Sequence, residues 1–167
     1  MERPWLKHYA PHVPRTLHYP PQPMHAFFDH TAIQQPDAIA LTFNDQPTTY
    51  AALADKVHRF ARILQQQGVR KGDRVALILI NSPTYVISFF ALMKLGAVVA
   101  NLSVGVTGDE LAACLNNAGA RLIITLDLFA ENLYSVISRT SVKTVILHSV
   151  FGLEKKLPRG EHLPEPL

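Results

Sequence analysis

Cysteine occurs once in these 167 residues, at Cys114, so an intramolecular disulfide framework is excluded and the chain fits a reducing compartment. Charge is sparse as well: 17% of residues are charged, and lysine plus arginine exceed the acids by only 16 to 13. The formal charge of +3 is scattered, with neither a basic stripe nor a recognition motif, and no nucleic-acid partner is expected. No apolar run is long enough for a membrane span. Lys94 and Gly96 interrupt the stretch from Tyr85 to Leu102, and Pro83 marks a helix start just upstream, so this stretch reads as a buried helix followed by a buried strand. The opening Met1-Glu2-Arg3-Pro4-Trp5-Leu6-Lys7 lacks the apolar core of a secretory signal, and a cytoplasmic location is expected. Lys155, Lys156 and Arg159, near Phe151, Leu153 and Leu157, fall short of polybasic density, which leaves peripheral membrane association at most.

Phosphate-gripping machinery is missing too. There is no Walker-type Gly-Lys-Thr, and Gly105-Val106-Thr107-Gly108 has neither the basic residue nor the glycine density to imitate one. A helix N-terminus alone can attract an anion, but the simpler reading of the Ser103 to Gly108 loop is a capped connection.

What is present describes an ordinary folded domain. A hydrophobic fraction of 48% over this length can bury roughly two-thirds of the unfolded surface, and one domain is expected. Six of the twelve prolines fall within residues 1–23, which read as an extended arm. A short helix follows from Met24 to Gln34 with Phe27, Phe28 and Ile33 on one side, then a strand from Ile39 to Phe43 and a turn holding Pro47. Thr49 is placed to cap a helix whose apolar stripe is Leu53, Val57, Phe60, Ala61 and Leu64, ended by Gly68. Val75 to Ile80 reads as a parallel strand covered on both faces. Ser82 and Pro83 open a helix that is apolar around most of its cylinder and closes at Gly96.

A strand at Val98 to Ala100 precedes Thr107-Gly108-Asp109-Glu110, which has the spacing of a capping box. The helix behind it carries Leu111, Cys114, Leu115 and Ala118 and ends at Gly119. A strand at Leu122 to Leu126, a helix from Leu128 to Ser138 and a strand at Val145 to Leu147 complete the pattern. Strand alternating with helix predicts an α/β fold, a parallel sheet flanked by helices, within residues 24–150. Residues 151–167 read as a charged, proline-containing tail.

Isolated reactive side chains are better explained structurally. His8 with His12 and His25 with His30 lack an acidic third ligand, and Cys114 sits on an apolar stripe. Ser82 is a cap, Asp127 and Glu131 form a wet helical face, and Arg70, Lys71 and Arg74 a solvated turn. No catalytic, cofactor-binding or metal-binding residue is assigned.

Several segments, in order, resemble the AMP-forming acyl-CoA synthetases, particularly long-chain fatty-acid–CoA ligases. They are Gln35-Pro36-Asp37-Ala38-Ile39-Ala40-Leu41, Thr48-Thr49-Tyr50-Ala51-Ala52-Leu53 and Val69 to Leu79 with its Lys71-Gly72-Asp73-Arg74-Val75. Asn81-Ser82-Pro83, Leu92-Met93-Lys94-Leu95-Gly96-Ala97-Val98-Val99 and Asn117-Ala118-Gly119-Ala120-Arg121-Leu122 continue the series. The sequence departs from the family at Ala52, where glutamate is usual, and at Val104 and Val106, where a proline and a tyrosine are common. The resemblance implies the flavodoxin-like N-terminal subdomain of the synthetase fold. It also implies that the family's Ser/Thr/Gly-rich phosphate loop, its ribose-binding acid and its mobile C-terminal lysine lie downstream of this segment. ATP, Mg and coenzyme A are implied for a complete enzyme and none for this chain, which reads as an N-terminal fragment, inactive alone. The implied partners are the remainder of the ligase and a possible second copy. A free-standing binding module, or a subunit that completes a shortened ligase in trans, is the alternative.

Overall fold

Thr49 leaves the preceding strand in extended conformation, and its Oγ1 accepts the Ala52 N–H at 3.3 Å, which starts α2 (Tyr50–Gln66). The expected stripe is the buried face: Leu53, Val57, Phe60, Ala61 and Leu64 are all buried. The computed structural model describes residues 3–149.

The chain starts with one turn of 3-10 helix at Pro4–His8, so the arm is not extended throughout; Pro4, lacking a donor, is tolerated in its first turn. Next come α1 (Met24–Gln34), β1 (Ile39–Phe43) and β2 (Gln46–Thr49). Pro47, expected in a turn, lies inside β2, opposite Thr42. The turn is Asn44-Asp45, both at positive φ (47° and 61°), the geometry of a two-residue hairpin loop. A two-stranded sheet leaves each strand an outer edge, where a missing N–H is harmless.

From β3 (Arg74–Ile78) the chain winds through α3 (Pro83–Leu95), β4 (Val98–Asn101), α4 (Gly108–Ala118), β5 (Leu122–Leu126), α5 (Ala130–Tyr134) and β6 (Thr144–His148). The four strands β3 to β6 form one parallel sheet in the order β4-β3-β5-β6. This is the α/β fold expected, with the first four places of the flavodoxin strand order. Alternation along the strands fills both faces: Val75, Leu77, Leu122 and Ile124 pack with α2 and α3, whereas Ala76, Ile78 and Ile123 pack with α4 and α5.

Three helices differ from expectation in what they bury. In α1 only Phe28 is buried, stacked on Phe90 at 4.5 Å between ring centroids, while Phe27 and Ile33 are exposed. In α3 only Ser88, Ala91 and Leu92 are fully buried, and Tyr85, Val86, Ile87, Phe89 and Phe90 are half-buried, because described neighbours cover it on one side. In α4 the stripe is Leu111, Ala112 and Leu115, with Cys114 and Ala118 half-buried at its margin. The expected helix from Leu128 to Ser138 is broken into α5 and two flanking 3-10 turns, Asp127–Phe129 and Ile137–Arg139. Ser135 Oγ donates to the Asn132 carbonyl at 2.8 Å, local competition that favours ending a helix. The tail expected at 151–167 lies outside the described residues.

Candidate functional site

In an open parallel sheet, loops at the carboxyl ends of the strands meet ligands where the strand order reverses. Here β3 connects outward to β4, and the chain then crosses back to place β5 on the other side of β3. Thr125, fully buried, closes this junction by donating its Oγ1 hydrogen to the Ile78 carbonyl at 3.0 Å. Around it stand residues 79–82, 102–107 and 127–129.

Residues 79–82 are shaped by Ser82, whose hydroxyl donates to the Ile80 carbonyl (3.1 Å) and accepts the Tyr85 N–H (3.4 Å). That is the cap expected, and it uses the hydroxyl as both donor and acceptor. The Ser103 to Gly108 loop is held by Leu102 N–H on the Leu77 carbonyl (2.9 Å) and by Gly105 N–H on Ser103 Oγ (3.2 Å). Its far end is clamped by Asn132. The Asn132 Nδ2 donates to the Val106 carbonyl at 2.9 Å, and its Oδ1 accepts the Gly108 N–H at 3.4 Å.

The expected capping box does not form. Thr107 occupies the N-cap position but makes no side-chain cap bond, and Asn132 serves one of the free donors instead. Nothing at short range in the sequence marks Asn132 for that role, since it reaches the loop from 24 residues away. Asp109 and Glu110 already bring two carboxylates to the first turn of α4, and Arg139 Nη1 pairs with Asp109. A further anion at this helix end would meet like charge. Val106 is half-buried against the α4 face, and Val104 is partly exposed.

The remaining candidates do not converge. Among the described residues no three His, Cys, Asp or Glu side chains come together as a metal site. His25 and His30 are five residues apart in α1 and so lie on different helix faces. Asp127 Oδ1 accepts the Leu128 N–H (2.8 Å) at the start of a 3-10 turn. Asp73 Oδ2 accepts the Arg70 N–H (2.8 Å), and Arg74 Nη1 donates to the Ala118 carbonyl (3.3 Å).

An apolar groove of about 280 Å³ opens between α1, β1, α2 and α3, lined by Phe27, Phe28, Ala40, Tyr50, Val86 and Phe90. Elsewhere α1 and α3 are joined by an ion pair between Lys94 Nζ of α3 and Asp29 Oδ1 of α1, both largely screened from solvent.

His148, at the carboxyl end of the edge strand β6, packs edge-on to Phe60 at 5.2 Å between centroids, and its Nε2 is buried without a hydrogen-bond partner. Burial holds its pKa below the ordinary value of 6.5, because the charged imidazolium is desolvated there. A lowered folded-state pKa means that the unfolded chain binds the proton more readily. Stability is therefore full above about pH 6.5 and falls as pH drops from there toward the folded pKa. Denaturant midpoints should decline as pH falls below about 6.5, and His148→Gln should reduce that decline. Identical slopes for both proteins would remove His148 as its source.

The four-stranded parallel sheet with helices packed on both faces defines an open α/β scaffold. The chain belongs to the family of AMP-binding enzymes, whose family model matches residues 28–165. It is 35% identical over 151 residues to a long-chain-fatty-acid–CoA ligase of Salmonella typhimurium, covering 88% of this chain and 27% of that protein. Among solved structures, a long-chain-fatty-acid–CoA ligase from Archaeoglobus fulgidus superposes with a TM-score of 0.74. That match covers 80% of this chain and 28% of the other, and at 22% identity it speaks for the fold alone. The N-terminal subdomain of Klebsiella oxytoca NpsA, solved with anthranilyl-AMSN, matches with a TM-score of 0.60 and 34% identity over 62% of this chain and 27% of that one. The chain thus spans about a quarter of the length of the curated relatives it matches.

Proposed function

We propose that this chain supplies the N-terminal α/β scaffold of a long-chain fatty-acid–CoA ligase. In that reaction a fatty carboxylate attacks the α-phosphorus of ATP, giving acyl-AMP and pyrophosphate, and the coenzyme A thiolate then displaces AMP to give the thioester. The observation that carries the reading is the 35% identity, over nearly all of this chain, to a protein named for that activity. Within this division of labour, residues 1–23 form an arm and residues 24–150 the subdomain. ATP, Mg and coenzyme A belong to the complete enzyme in the cytoplasm. The described residues gather no donor set for the metal, and no site residue is assigned here.

The purified chain alone is expected to give no ATP–pyrophosphate exchange with a long-chain fatty acid. Exchange above background would overturn the scaffold reading.

A second reading, a non-catalytic module or a subunit that completes a shortened ligase in trans, is favoured by the uncovered apolar surface beside α1 and α3. Met24, Phe27, Ile33 and Ile39 are all exposed there. Co-purification with a larger polypeptide carrying a phosphate loop would support it. Self-association through the proline-rich arm is the competing use of such a surface, and unchanged sedimentation after deletion of residues before Met24 would eliminate it.

A further inference from the structure

The sheet has a second edge that the proposed function leaves unused. Register puts Val75, Leu122 and Thr144 side by side, so the residues just before them, Arg74, Arg121 and Lys143, form a row of cations across three adjacent strands. Neighbouring strands lie roughly 4.8 Å apart, which makes this a closely spaced row. The backbone ties it together: Arg121 N–H donates to the Arg74 carbonyl (3.3 Å), and Lys143 N–H to the Arg121 carbonyl (2.8 Å). Arg70 and Lys71 stand in the turn leading into β3, and Asp73 is the sole acid in residues 67–75, 119–122 and 142–144 that form this edge. The edge carries a formal +4, against +3 for the whole chain, so charge that looks scattered in sequence is gathered by the fold at one end.

The three cations of the row line a concavity of about 210 Å³, with Gln67, Gly68 and Thr144 on its walls. Helix carboxyl ends nearby explain part of the arrangement, since Arg74 serves the Ala118 carbonyl at the end of α4. Asp73, also on the wall, is engaged by the Arg70 N–H. Arg121 and Lys143 have no side-chain hydrogen bond or ion pair among the described residues. Two unpaired cations and a third beside them, converging on a cleft of small-molecule size, suit a doubly charged oxyanion better than a monovalent one. A guanidinium fork matches phosphoryl oxygens in pairs.

We propose that this amino-edge cleft binds a phosphoryl group, either free as an inorganic ion or carried as a phosphomonoester, through Arg121 and Lys143 with Arg74 at its side. It lies at the opposite end of the strands from the Ser103 to Gly108 loop and is independent of the ligase reading.

Isothermal titration of the purified chain with inorganic pyrophosphate and, separately, with AMP tests it and separates the two sources. At least one should bind saturably, with affinity reduced about tenfold or more in the Arg121→Gln, Lys143→Gln double variant and unchanged in Arg59→Gln, whose cation is exposed on α2 and paired with Asp55. Circular dichroism checks the fold of each variant. If the double variant does not fold, the Arg121 Nε–Hε resonance of the unaltered chain gives the answer, since it should shift on titration. No saturable binding of either probe, binding unaffected by the double variant, or an immobile Arg121 resonance would overturn the proposal. So would binding of a polyglutamate peptide at the cleft when neither phosphoryl probe binds.

Discussion

Leu92→Ala is expected to destabilise the fold by about 3–5 kcal/mol. Leu92 is fully buried in the last turn of α3 and belongs to the cluster joining α2 and α3 to the sheet. Its own turn leaves little room for repair. Ala91 and Ser88, the other fully buried residues of α3, are too small to swing into the space, and Ser88 Oγ is already buried without a partner. The cavity would therefore stay open, and a polar atom beside it cannot profit from apolar surroundings. Equilibrium denaturation with fluorescence or circular dichroism measures the loss. A cost below about 1 kcal/mol would show that α3 packs more loosely than described.

That same helix shows how far the sequence is legible. Its limits are readable, because Ser82 as cap, Pro83 in the first turn and Gly96 in the left-handed conformation are local devices, and all three act as expected. Its burial is not. An apolar cylinder predicts cover on several sides, yet among the described residues only Ser88, Ala91 and Leu92 of α3 are fully buried. The stripes of α2 and the continuous runs of β3 and β5 are readable, since their partners lie within the segment.

Long-range polar contacts escape detection altogether. Asn132 displaces the capping box at Thr107, and the cationic row at the amino edge exists only through strand register. The hairpin is obscured because Pro47 outweighs Asn44-Asp45, although adjacent residues tolerant of positive φ are the better signal. For the candidate site, the sequence indicates correctly that Ser82 is a cap, and the resemblance supplies the family. The role of the Ser103 to Gly108 loop depends on a clamp from another element.

Gly119→Val should cost about 2–3 kcal/mol, and its cause can be separated into two parts. Gly119 ends α4 with φ at +63°, a conformation that costs an L residue with a branched side chain roughly 1–2 kcal/mol. A Cβ there would also stand 2.9 Å from Arg74 Nη1, so the guanidinium must shift, which disturbs its bond to the Ala118 carbonyl. Gly119→Asn distinguishes the two, because asparagine tolerates the left-handed region but still places a Cβ against Arg74. The asparagine variant should lose less stability than the valine variant while displacing Arg74 equally. Gly68, by contrast, has φ of +88° but nothing within 4 Å of where a Cβ would stand, so Gly68→Asn should be the milder change at a comparable helix end. Equal losses at Gly119 and Gly68 on asparagine substitution would mean that the Arg74 contact contributes nothing, and that backbone conformation alone explains the glycine in Asn117-Ala118-Gly119-Ala120.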